Sequence, residues 1–90
     1  MTAYMIDFAT APELGTKLAY YRGTTLTLIA SAPYRRRDGK PSVLLEWSAP
    51  DGRVGVSGLR AKSVRWGATV ADTLRRSAEA RAAEAAQGDK

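Results

Sequence analysis

A chain of 90 residues with 14 Lys+Arg, 9 Asp+Glu, no Cys and no His reads as one small basic domain of net charge +5. Its composition excludes a disulfide framework, Cys/His zinc sites, and catalysis by thiolate or imidazole. The fold must therefore hold by packing alone, and the chemistry left to it is recognition more than reaction.

The chain begins with Tyr4, Ile6 and Phe8 alternating with Met5, Asp7 and Ala9, the period of a short strand. Pro12 and Gly15 mark a loop. Leu18–Tyr21 reads as a second short strand closed by Arg22-Gly23. Thr24–Ala30 is β-branched and alternates Leu26/Leu28 with Thr25/Thr27, a third strand, and Ser31-Ala32-Pro33 is expected to break or bend it. Tyr34–Arg37 runs into Asp38-Gly39, a hairpin turn signal. Ser42–Trp47 returns with Val43, Leu45 and Trp47 on one face and Ser42, Leu44 and Glu46 on the other. Pro50-Asp51-Gly52 is a second turn of the same chemistry, and Arg53–Ser57 follows with Val54 and Val56 on one face. A three-stranded meander results.

Gly58–Ser63 has no strand period and suits a single 3₁₀ turn. Val64-Arg65-Trp66 is a last short strand. Thr69-x-x-Asp72 resembles a capping box, and the Ala-, Arg- and Glu-rich residues 69–86 predict a helix, with Asp72 four residues before Arg76 as a favourable ion pair. The expected organisation is a β domain over 1–66, a C-terminal helix over 67–87 and a frayed tail at 88–90. The pattern is mainly β, and suits a small SH3-like barrel of five to six antiparallel strands, or an open sheet covered by the helix. The predicted core is Ile6, Phe8, Leu18, Tyr20, Leu26, Leu28, Val43, Leu45, Trp47, Val54, Val56, Leu59 and Val64. Trp66, Val70 and Leu74 are expected to dock the start of the helix.

Charge is unevenly placed. Residues 1–34 and 67–90 are each neutral, so the whole excess lies in 35–66, where eight cations meet three carboxylates. Asymmetry of this kind points to a polyanionic partner. Arg35, Arg36, Arg37 and Lys40 surround one hairpin tip; Arg53, Arg60, Lys62 and Arg65 follow the later connections. Guanidinium groups bind phosphate bidentately and stay charged. Tyr34 and Trp66 flank the set and are candidates for stacking on bases. DNA or RNA is the first expected partner, contacted through its backbone because no sequence-reading motif is present. An acidic host protein or nucleoprotein complex is the second.

Beyond Ser77 the apolar face of the helix is only Ala78, Ala82 and Ala85, which suits a projecting, partly frayed surface helix; alternatively Ala71, Leu74, Ala78, Ala82 and Ala85 form a stripe suited to a partner helix. A homo-oligomer built through it is the third reading. Trp47, Tyr4 and Tyr20-Tyr21 read as packing residues, Glu46 as an ion-pair partner of the arginines. Gly52, Gly55 and Gly58 lack the Lys-Ser/Thr of a phosphate loop and read as turn and bulge positions. No catalytic residue, cofactor or metal is expected, and the chain reads as non-enzymatic. With no basic n-region before Lys17 and no apolar run near the ~18 residues of a membrane span, the expected location is cytoplasmic.

The segment Tyr34–Trp47, Tyr-Arg-Arg-Arg-Asp-Gly-Lys-Pro-Ser-Val-Leu-Leu-Glu-Trp, resembles one found in small proteins of bacterial phages and prophages. Many of those continue with a Cys pair suited to zinc; here Ser48-Ala49-Pro50-Asp51-Gly52 follows instead. The resemblance implies a mobile-element setting, in which small proteins bind nucleic acid or block host defence complexes, as anti-CRISPR proteins do. It implies no catalytic residue.

Overall fold

The structure is a computed structural model that describes residues 6–88, with Tyr21, Gln87 and Gly88 described by backbone alone. It contains strands β1 (Lys17–Ala19), β2 (Thr25–Arg35), β3 (Pro41–Ser48), β4 (Val54–Ser57) and β5 (Arg65–Trp66), followed by helix α1 (Val70–Gly88). The strands form one antiparallel sheet in the order β1-β2-β3-β4-β5. β1 and β5 are its two edges, so the sheet is open rather than closed into a barrel, and α1 packs on one face.

Both turns of the meander share one geometry. In the first, the Gly39 N–H donates to Arg36 O (2.9 Å) and the Arg36 N–H to Lys40 O (2.8 Å). In the second, the Gly52 N–H donates to Ala49 O (3.0 Å) and the Ala49 N–H to Arg53 O (2.9 Å). Each is a three-residue hairpin loop with its glycine at positive φ, +87° and +92°, as a type I turn with a following bulge requires. The aspartate before each glycine accepts the N–H two residues on: Lys40 to Asp38 Oδ1 (3.0 Å), Arg53 to Asp51 Oδ1 (3.1 Å).

Two sequence expectations fail in β2 and after β4. Ser31-Ala32-Pro33 does not break the strand, which runs on to Arg35. The irregularity falls earlier, as a bulge between Leu28 and Ala30 that leaves Ile29 exposed. Pro33 is tolerated because β1 reaches only Thr25–Thr27, so this half of β2 is an edge where an absent N–H costs no ladder bond. Residues 58–63 hold turns and bends, and the short 3₁₀ turn forms at Tyr21–Gly23 instead. Of the first predicted strand, Tyr4 and Met5 lie outside the described residues. Ile6 and Phe8 are not assigned to a strand, though their N–H groups bond Ala61 O (2.7 Å) and Leu59 O (2.8 Å). The tail expected at 88–90 lies, beyond Gly88, outside the described residues.

The sheet buries both faces. On the first, Ile6, Tyr20, Leu26, Leu28, Leu45, Trp47, Ala49 and Val64 form the main core, with Phe8, Leu18, Val43, Leu59 and Trp66 packed around it. The Ile6–Phe8 segment and the 58–64 connection cover this face. Phe8 stacks on Trp47 at 6.1 Å, and the buried indole N–H of Trp47 donates to Ser57 Oγ (2.8 Å). The second face carries Leu44, Val56 and Val70, with Ala32, Tyr34, Ala68 and Leu74 around them. Leu44 and Val56 thus belong to a separate core under the helix. The sequence pattern instead turns Leu44 outward, groups Val56 with the other core residues and gives no sign of Ala49, while it does place Val70 at the helix docking point. Val54 is half-buried and joins neither cluster.

Gly55 is neither a turn nor a bulge. It sits between Trp47 on β3 and Trp66 on β5. A Cβ there would overlap Val64 Cγ1 and come within 2.8 Å of Arg65 O and 3.1 Å of Trp66 Cε3. Only glycine lets the two tryptophans and the incoming backbone share this row.

The helix start is held by two acceptors. The Asp72 N–H donates to Thr69 Oγ1 (3.1 Å), as an N-cap requires. The Val70 N–H donates to Glu46 Oε1 (2.8 Å) on β3. Glu46, expected to pair with an arginine, instead caps the helix and makes no ion pair among the described residues. Val70 and Leu74 dock as expected; Trp66 does not join them, because its row faces the other core. From Ala78 to Ala86 every helical residue is exposed. No described helix is long and apolar enough to cross a membrane.

Candidate nucleic-acid interface

Antiparallel partners share a face, so the register assigns each basic residue to a side of the sheet. Arg65 pairs with Val56 and Val56 with Glu46, which puts Arg65 on the helix face. Tyr34 belongs to the cluster under the helix. Pro41–Leu44 of β3 extend past the last β4 pairing at Leu45–Ser57. The Arg36–Lys40 tip therefore overhangs β4 by about 13 Å and runs alongside α1.

The helix extends its docked stripe toward this tip. Val70 and Leu74 lead at helical spacing to Ser77, Arg81 and Glu84. The Arg81 guanidinium donates to Arg35 O (3.2 Å), linking the second half of α1 to the end of β2. Between tip and helix lies a groove of ≈ 490 Å³ whose charged lining is Arg35, Arg36, Arg37, Arg81 and Glu84, with Tyr34, Thr73 and Ser77 on its floor and wall. Two smaller depressions adjoin it, of ≈ 330 and ≈ 250 Å³. One joins Tyr34 to Arg65 and Thr73; the other joins Arg65 to Arg76, Asp72 and Ser77. Together they make a continuous seam along the helix–sheet junction, centred on Thr73.

Which of these charges are committed elsewhere decides what the seam can bind. Arg36 pairs with Asp38 (3.1 Å), and Arg35 Nη1 donates to Gly39 O (2.8 Å). Arg37, Arg65, Arg76 and Arg81 make no ion pair among the described residues. Arg75 engages Asp72 (3.1 Å) and, on its other side, Glu79 (3.9 Å). The expected Asp72–Arg76 pair does not form; Arg76 instead faces the seam.

The remaining candidates lie elsewhere. Arg53 is held by Asp51 (2.7 Å) and lies over the Trp66 ring at 4.4 Å. Trp66 also meets Tyr20 edge-on at 6.1 Å. The two proposed stacking residues are thus on opposite faces: Tyr34 in the seam, Trp66 against the main core. Arg60 pairs with Asp7 (3.5 Å) in the connection over that core; Lys62 is exposed in the same connection and Lys40 at the hairpin tip. Neither Lys40 nor Lys62 lines the seam. Of the proposed small-residue stripe, Ala71, Ala78, Ala82 and Ala85 are exposed, while Leu74 is half-buried in the cluster under the helix.

Arg76 and Arg81 are the residues that sequence reasoning missed. Their segment is neutral overall, which hid them. The signal lay in periodicity: continuing the Val70/Leu74 stripe by three and four residues lands on Ser77 and Arg81.

Comparison of the chain with protein-family models, with curated proteins and with solved structures finds no match.

Proposed function

We propose that this protein binds nucleic acid through its phosphate backbone, using the arginines of the helix–sheet seam. The observation that carries the reading is the convergence of Arg37, Arg65, Arg76 and Arg81, from the hairpin tip, β5 and α1, on one open seam, with no carboxylate paired to them among the described residues, although Glu84 and Asp72 share its lining. Arginines without a carboxylate partner keep donors for phosphate oxygens, Arg81 beyond the N–H it gives to Arg35 O, and stay charged at any physiological pH. Nothing in this set reads base edges, so affinity is expected to vary little with sequence.

The test is a salt titration of binding by fluorescence anisotropy. Each phosphate contact contributes about −0.9 to the log–log slope on B-DNA and about −0.7 on a single strand. Replacing Arg37, Arg65, Arg76 and Arg81 with alanine should flatten the slope by up to four such increments and weaken all sequences alike. Lys17→Ala, a charge loss on the distant β1 strand, should leave it unchanged. No binding to DNA or RNA at low salt overturns the proposal. An inhibitor or adaptor docking on an acidic host protein is then the reading to pursue, recognised by capture that persists after nuclease treatment.

A further inference from the structure

The groove between the Arg36–Lys40 tip and α1 is walled on two sides, by the hairpin and by the helix, with Tyr34 between them. Tyr34 is half-buried at its base, held from beneath by the Leu44–Val56–Val70 cluster. Small side chains, Thr73, Ser77 and Ala80, form the helical wall; Arg37 and Arg81 stand at the rim. A flat surface of this charge would suit a duplex, whose phosphates lie on a broad convex cylinder. A walled slot does not, because its cations sit on both sides of a space that a rigid double helix cannot enter. A single strand can enter: an unpaired base presents a π-face to an aromatic ring while its phosphates remain at the rim.

Resting on the binding function proposed above, we infer that the ligand of this groove is single-stranded nucleic acid, with a base against Tyr34 and phosphates at Arg37 and Arg81. Charge at the rim and an aromatic at the base is the division of labour that single-strand grooves use. The Arg81–Arg35 bond holds the outer half of the helix over the tip and so sets the width of the slot. The wall it supports is built mainly of the small side chains Thr73, Ser77 and Ala80, which leaves the slot open to a ligand.

The test compares a labelled mixed-sequence single strand with its duplex, on the full chain at low salt. The expected result is tighter binding of the single strand. Tyr34→Leu keeps apolar volume over the cluster and removes the ring; it should weaken single-strand binding roughly 5- to 150-fold and duplex binding little. Ala80→Leu fills the slot with a good helix former and should act in the same direction, while Ala83→Leu, on the outward side, should change nothing. Circular dichroism melts confirm that each variant folds. Equal or tighter duplex binding, or an Ala80→Leu variant that binds the single strand like wild type, overturns this inference while leaving the arginine seam standing. Loss of all nucleic-acid binding in the wild type overturns both.

Discussion

Gly55→Ala is the substitution for which the fold leaves least room. The added methyl would overlap Val64 Cγ1 and stand 2.8 Å from the carbonyl oxygen of Arg65. A side chain can rotate away; a carbonyl moves only if β5 moves. That strand is two residues long and pairs with β4 only through Gly55–Trp66 and Val56–Arg65, so it is the part that yields. Overpacking costs about 1–3 kcal/mol, and loosening the β4–β5 ladder adds about 0.5–1.5 kcal/mol per hydrogen bond. The expected loss is about 3 kcal/mol. For a domain of this size that is a fall in Tm of roughly 12–24 °C, measured by thermal circular dichroism. Gly52→Ala is the comparison: its φ is +92° but nothing lies within 4 Å of the new Cβ, so its cost is the backbone term alone, about 1–2 kcal/mol. A Gly55→Ala melt no lower than that of Gly52→Ala would refute the packing argument. The substitution also reaches the seam, since β5 carries Arg65, so the folded fraction should bind nucleic acid more weakly at temperatures below the melt.

Three further outcomes follow from individual contacts. Ser57→Ala leaves the buried Trp47 indole N–H without its acceptor and should cost about 1–3 kcal/mol; an unchanged chemical denaturation midpoint would contradict this. Glu46→Ala removes the acceptor of the Val70 N–H and should cost about 1–2 kcal/mol together with some far-UV helical signal, whereas Glu46→Gln, which keeps an oxygen, should cost less; equal losses would show that the cap is not what matters. Asp51 is held below the ordinary carboxylate range chiefly by the Arg53 backbone N–H; desolvation opposes this, and the Arg53 side chain adds to the lowering. Because its folded pKa is depressed, its contribution to the turn is present above the ordinary range and is lost as pH falls through the lowered value. An NMR titration should show Asp51 moving only part of the way back in Arg53→Ala, since the backbone donor remains; a full return would assign the effect to the side chain instead.

Much of the sheet was legible because local signals and tertiary packing agree. The two Asp-Gly turns dictate hairpins through backbone geometry that needs no distant partner, and Val43, Leu45 and Trp47 alternate in the way that a buried face demands. The errors occur where burial depends on what lies opposite. Leu44 and Glu46 look like outward residues until a helix lies over them; then the one joins a core and the other supplies a cap. Pro33 looks like a strand breaker until the neighbouring strand proves too short to need its N–H. Gly55 looks like a bulge because nothing local shows two tryptophans closing on it. In each case the deciding neighbour is far away in sequence, and the pattern of the segment itself carries no trace of it.

The same logic explains why charge counting located only half of the candidate interface. A window average treats Arg75, Arg76 and Arg81 as cancelled by Asp72, Glu79 and Glu84, but cancellation requires contact. Arg75 meets both Asp72 and Glu79, which concentrates the neutralisation on one residue and leaves Arg76 and Arg81 with none among the described residues. In the basic stretch the reverse happens: Arg36, Arg53 and Arg60 each find a carboxylate and their charges are partly spent within the fold. The net +5 of the chain is thus the wrong quantity for judging where an anion would bind. What matters is which guanidinium groups the fold leaves without a carboxylate among the described residues; of these, Arg37, Arg65, Arg76 and Arg81 lie along the helix–sheet seam, drawn from a neutral helix as much as from the basic stretch, while Arg22 stands apart in the Tyr21–Gly23 turn.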